Sequence, residues 1–146
     1  MALCTLSGCK CENSTISADS LLDFVDPLIG TGGHGHTFPG AAYPFGMVQL
    51  SPDTGLEGWD WCSGYHYSDS VIIGFSHTHL SGTGCADLGD ILVMPFVGEV
   101  RTARGEQDNI EGSCASYYKH ENESVAPGYY SLLMDNGVKV ELTSTE

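Results

Sequence analysis

The sequence predicts an all-β chain folded as an antiparallel β-sandwich, and three observations carry that expectation. Asp135-Asn136-Gly137 stands between two alternating apolar and polar runs, and Asn-Gly in that setting is the strongest short-range hairpin signal. The 19 glycines supply the many tight turns that an all-β fold needs. The apolar runs are of strand length, and no window of about 11 residues or more keeps a helical period.

The first 20 residues read as an export signal and tether rather than as structure. Leu6-Ser7-Gly8-Cys9 resembles a bacterial lipobox, which makes Cys9 the expected lipidation site. The few residues before Cys9 are too short for a charged region plus an apolar region. Either an upstream signal is missing, the start is misassigned, or the tetrapeptide is a coincidence. Residues 10–20 (KCENSTISADS) are polar and serve as a tether. The expected location is the periplasm or cell surface, as an outer-membrane lipoprotein, with a folded domain over 21–146 that is incomplete at its C-terminal end.

Asp26-Pro27-Leu28-Ile29-Gly30-Thr31 opens that domain on an extended segment, and the loop GTGGHGHTFPGAAYPFG follows. Its glycines invite a nucleotide-loop reading, but no apolar strand precedes them, no helix follows, and the lysine of a phosphate loop is absent. Met47-Val48-Gln49-Leu50 is expected as a short strand, closed by a turn over Ser51-Pro52-Asp53-Thr54-Gly55. Val71–Phe75 and Ile91–Val97 are further expected strands, too short and too marked by glycine or proline for helices. In the C-terminal hairpin, Tyr130, Leu132 and Met134 alternate with Tyr129, Ser131 and Leu133. Val138, Val140 and Leu142 then share one face of the returning strand.

Composition bounds the function. A chain of 146 residues is one domain's worth, and a net charge of −14, with 5 Lys+Arg against 19 Asp+Glu, excludes a nucleic-acid partner. Such a field tolerates a neutral sugar and repels a phosphate-rich ligand. No stretch reaches the roughly 20 apolar residues of a membrane-spanning helix, so a membrane is expected only through the lipid anchor. Among the cysteines, Cys4 leaves with a signal, Cys9 carries lipid and Cys11 lies in the tether. That leaves Cys62, Cys85 and Cys114 without a CxxC pair. Cys62 with Cys85 is the pair expected if one oxidises, and buried free thiols are the alternative.

The stretch from Gly58 to Asp90 interleaves aromatics, short polar residues and glycines, the mark of a pocket wall on short strands. Four blocks carry a wider likeness: GTGGHGHTFPGAAYPFGMVQLSPDT, CSGYHYSD, GFSHTHLSGTGCADLGDILVMP and PGYYSLLMDNGVKVELTST. In order and content they resemble the N-terminal β-sandwich domain of glycoside hydrolase family 92. That resemblance implies an exported bacterial exo-α-mannosidase, calcium-dependent and inverting, with α-1,2-linked mannose as the expected linkage. It also implies a partner within the same polypeptide, a helical (α/α) barrel domain that supplies the catalytic carboxylates and the calcium ligands. This chain would then hold no catalytic residue and would lend a wall to the pocket for a mannose-containing glycan.

The residues expected to line that pocket are Trp59, Trp61, Cys62, Gly64, His77 and His79. An indole offers a flat apolar face to the C–H face of a pyranose, although either tryptophan could instead plug the core. His34 with His36, and His77 with His79, form two His-x-His pairs that together would satisfy a zinc ion. The competing reading has these imidazoles positioning loops or sugar hydroxyls. Asp53, Asp60, Asp69, Asp87 and Asp90 are expected to cap turns rather than to act as acid and base. Tyr43, Phe45, Trp61, Tyr65 and Tyr67 are candidates for an apolar docking surface toward the missing domain. The alternative to the enzyme reading is a stand-alone surface lipoprotein that binds glycans.

Overall fold

The computed structural model describes residues 21–43 and 46–145, so Cys9, the tether and Phe45 lie outside the described residues. The strands are β1 (Ala41–Ala42), β2 (Gln49–Asp53), β3 (Val71–Ile72), β4 (Gly74–Ser76), β5 (Ser116–Tyr117), β6 (Glu123–Ala126), β7 (Tyr129–Leu133) and β8 (Lys139–Thr143). One 3-10 turn, His120–Asn122, precedes β6. They form sheets ordered β1-β2-β4, β3-β5 and β6-β7-β8, every pairing antiparallel. Strands β1 and β2 lie against β7 and β8, which makes the two larger sheets the layers of a sandwich.

The core follows from the alternation in the C-terminal hairpin. Tyr130 faces Leu142, and Leu132 faces Val140, in the β7–β8 register. Tyr130, Leu132 and Met134 join Tyr65, Ile72, Phe75 and Tyr118 in the buried cluster, with Val138, Val140 and Leu142 packed against it. The turn closes with Gly137 N donating to Met134 O at 2.9 Å and Met134 N donating to Val138 O at 3.0 Å. Gly137 sits at φ +85° while Asn136 keeps a negative φ. The hairpin is therefore the three-residue form with glycine in the left-handed region, not a two-residue Asn-Gly turn.

Three expected elements differ. The second strand runs Gln49–Asp53 rather than Met47–Leu50, continuing through Pro52 into what the sequence marks as a turn. Pro52 is tolerated because it faces Phe75, whose own N–H and C=O are bonded to Val93 on the other side. The Val71–Phe75 run divides at Ile73, because Val71 and Ile72 pair with β5 while Gly74 to Ser76 pair with β2. Ile91–Val97 makes a single bridge, Phe75 to Val93. Ile91 stands at φ +57°, and Pro95 has no N–H to extend a ladder.

Candidate functional site

After β2 the chain leaves the sheet at Asp53 and returns at Gly64, where Thr54 N donates to Gly64 O at 2.7 Å. Gly64 lies at φ +80°, and a Cβ there would collide with Asp53 Oδ1 and stand 3.0 Å from the His79 ring. Only glycine lets the backbone pass this close to the pair behind it. His79 enters from the other side, just beyond β4. Its Nδ1 donates to Gln49 O at 2.7 Å, and its Nε2 lies 3.0 Å from both Asp53 Oδ1 and Ser76 Oγ. The Nδ1 hydrogen bond to a carbonyl fixes the ring with Nε2 turned toward Asp53 and Ser76. Ser76 and Asp53 meet the same ring nitrogen, so the trio is not a nucleophile–base–orienter relay. Asp53 Oδ2 is buried without a hydrogen-bond partner.

In front of this pair lies a cavity of about 180 Å³ lined by Leu56, Trp61, Cys62, Gly64, His79 and Asp87, among others. Trp61 is anchored by Nε1 donating to Asp69 Oδ2 at 2.7 Å. Gly55 leaves room for the indole, since a Cβ there would strike the ring. Trp61 and Leu56 also border a second, wider cavity of about 310 Å³ that reaches Glu57, Arg104 and Gln107. The first cavity is smaller than the roughly 300–1,000 Å³ of a self-sufficient ligand pocket.

Four of the six residues expected at a sugar pocket, Trp61, Cys62, Gly64 and His79, thus share one cavity. Trp59 and His77 do not line it. Trp59 is 61% exposed and packs edge-on against His36, with ring centroids 4.9 Å apart. His77 Nδ1 donates to Ile91 O at 2.8 Å and ties down the 78–90 loop. The four histidines of the two His-x-His pairs do not converge on one metal site: among the described residues only His34 and His36, with Asp60, bring their ligand atoms within 4.8 Å of one another. Cys62 and Cys85 are both free thiols, the first buried and the second exposed. Tyr65 belongs to the core at 1% exposure, which removes it from the expected docking surface, whereas Tyr43 and Tyr67 are exposed.

The acidic residues hold structure. Asp69 fixes Trp61, and Asp90 accepts from Thr78 Oγ1 at 3.3 Å. Asp87 accepts from Leu88 N at 2.9 Å. His34 holds the Asp60 carboxyl below the usual range by donating a hydrogen bond to it. Sequence reasoning passed over Glu123, whose side chain is enclosed and accepts from Tyr65, Tyr130 and His120. It also passed over Gln107, whose Nε2 donates to the carbonyls of Thr54 and Val71 at 2.8 Å each. Calcium requires six to eight oxygen ligands. Among the described residues, the one grouping of three or more His, Cys, Asp or Glu ligands is His34, His36 and Asp60, with a single carboxylate. These residues do not fit calcium.

The residues thus build a glycine-walled cavity with an anchored indole on an all-β sandwich. Residues 24–146 match the Glycosyl hydrolase family 92 N-terminal domain, and the chain belongs to that family. It is 45% identical to a family 92 α-mannosidase of Bacteroides thetaiotaomicron solved with mannoimidazole. That likeness has a TM-score of 0.82 and covers 86% of this chain and 17% of that one. A family 92 inverting mannosidase from the same species is 31% identical, with a TM-score of 0.64, over 85% of this chain and 16% of that one. An uncharacterized secreted glycosidase of Arthroderma benhamiae is 33% identical over 86% of this chain and 16% of its own length. The chain therefore spans about a sixth of the length of each of these relatives.

Proposed function

We propose that this chain forms the N-terminal part of an exported, calcium-dependent, inverting exo-α-mannosidase acting on mannose-containing glycans, with α-1,2-linked mannose as substrate. Its own contribution is one wall of the active-site pocket. The catalytic acid and base, and the calcium ligands, belong to a helical domain of the same polypeptide that closes over this wall. The observation that supports this reading is the undersized cavity with Trp61, Cys62, Gly64 and His79 on one side. It has the residues of a sugar subsite and too little enclosure to serve as one alone.

The exposed apolar surface points the same way. Phe24, Ile29, Met47 and Val100 are each at least 72% exposed, apolar side chains that a covering domain could take out of water. Within the assembled pocket, the Trp61 indole would bear on the apolar face of the sugar, and His79 would stay fixed behind Gly64 by its buried pair. The wall excludes water and orients the ring, and the proton transfers occur on the other domain.

Trp61→Ala in the longer polypeptide tests this. Loss of sugar contact should lower kcat/KM for an α-mannoside by about tenfold or more, the equivalent of roughly 1.4 kcal/mol. Unchanged kcat/KM in the folded variant would assign the indole to packing alone. Stoichiometric mannoside binding by the short chain would favour a stand-alone glycan-binding module.

A further inference from the structure

We propose that His34, His36 and Asp60 form a binding site for a late divalent transition metal, of the zinc class, at the edge of the glycine-histidine loop. Their ligand atoms all lie within 4.8 Å of one another. His34 Nδ1 stands 2.6 Å from Asp60 Oδ1, and His36 Nε2 stands 3.6 Å from the same oxygen. The last distance is too long for a hydrogen bond and leaves His36 Nε2 buried without a partner. His36 is 7% exposed, so this nitrogen is shut away from water and directed at the carboxylate. A buried polar atom with no partner is costly, and a metal ion would satisfy it.

The backbone around His36 is built to hold the ring there. His36 adopts φ +55°, in the left-handed region that a histidine rarely enters. Its carbonyl accepts from Gly82 N at 2.6 Å. Gly35 passes so close to Gly30 that no Cβ would fit. Trp59 packs edge-on against the ring and is itself seated on Gly84, where a Cβ would stand 2.7 Å from the indole. Such strain is retained where surrounding structure enforces it, and at ligand clamps.

The donor set selects the ion. Two imidazoles and one carboxylate suit zinc and its neighbours, while calcium and magnesium call for oxygen cages. Three protein ligands leave a fourth tetrahedral position open, and the His34 side chain, 78% exposed, puts that opening at the surface.

The test is a calorimetric titration of the full chain with zinc chloride at neutral pH, after its accessible cysteines have been alkylated. One zinc per chain is expected. His34→Ala and Asp60→Asn should each weaken binding by at least the roughly 10–100-fold that follows loss of a supporting partner. A parallel titration with cobalt(II) should quench tryptophan fluorescence in the wild type and not in Trp59→Phe. Circular dichroism melts confirm that the variants are folded. No stoichiometric zinc binding by the wild type would overturn the site, as would undiminished affinity in both ligand variants.

Discussion

His79 Nε2 lies 3.0 Å from Asp53 Oδ1, and both side chains are enclosed, at 1% and 0% exposure. This contact joins the end of β2 to the segment after β4, directly behind the wall that Gly64 forms. Removing one member leaves the other buried and uncompensated. Asp53→Ala should therefore destabilise the chain by about 3–5 kcal/mol. Asp53→Asn keeps the shape and a hydrogen bond, and should cost about 1–3 kcal/mol. Urea denaturation of the two variants checks the order, and equal midpoints would contradict it.

Gly64 and Gly137 occupy nearly the same backbone conformation, at φ +80° and +85°, in different surroundings. A Cβ at Gly137 would meet nothing within 4 Å, whereas at Gly64 it would collide with Asp53 Oδ1. Gly137→Ala should lose only the left-handed preference, about 1–2 kcal/mol. Gly64→Ala should lose that and disturb the buried pair as well. Thermal melts of the two proteins should show Gly64→Ala clearly lower. The reverse order would mean that the pair tolerates displacement.

Burial raises the hydroxyls of Tyr65, Tyr118 and Tyr130 above their ordinary 10.0, and the Glu123 carboxylate nearby adds to the effect. In the unfolded chain the same groups ionise near 10. The folded state therefore keeps protons that the unfolded state releases. Its stability is fully present below about pH 10 and is lost as pH rises toward the folded values. Among 7 tyrosines, an ultraviolet phenolate titration should show these three ionising only together with unfolding. Seven tyrosines titrating together near pH 10, with the far-ultraviolet spectrum unchanged, would refute it.

The thiols give a quick check of the wall. Cys85 is exposed and Cys62 is buried at the cavity. Cys85→Ser should remove one fast-reacting thiol from a native Ellman titration. Cys62→Ser should remove one that reacts only on denaturation. Equal fast reactivity would place Cys62 at the surface.

Much of the fold was legible in the sequence because its signals are local. The alternation of Tyr130, Leu132 and Met134 with their neighbours marks the core face, and Gly137 marks the turn. The division of Val71–Phe75 between two sheets was not legible, because which strand each half pairs with is decided by distant residues. Ile91–Val97 misled for a similar reason, since Ile91 stands in the left-handed region with its carbonyl bonded to His77, a contact that local sequence does not announce. At the site, glycine and aromatic chemistry pointed to Trp61, Cys62, Gly64 and His79. Leu56 and Asp87 reach the same cavity from separate loops, and nothing local announces that approach. Glu123 carries no sequence mark either, since the enclosure that gathers Tyr130 and His120 around it also needs Tyr65, 58 residues away.

The most direct measurement is an assay of this chain alone, with calcium and an activated aryl α-mannoside, beside the longer polypeptide. Glycoside hydrolysis by inversion needs a general acid and a second carboxylate that activates water, about 6.5–9.5 Å apart. The aspartates around this cavity are engaged in turns, in the Trp61 anchor and in the His79 pair. The longer polypeptide should turn over the mannoside and this chain should not. Calcium-dependent turnover by this chain, abolished by Asp53→Asn, Asp60→Asn or Asp87→Asn, would contradict its assignment as a pocket wall.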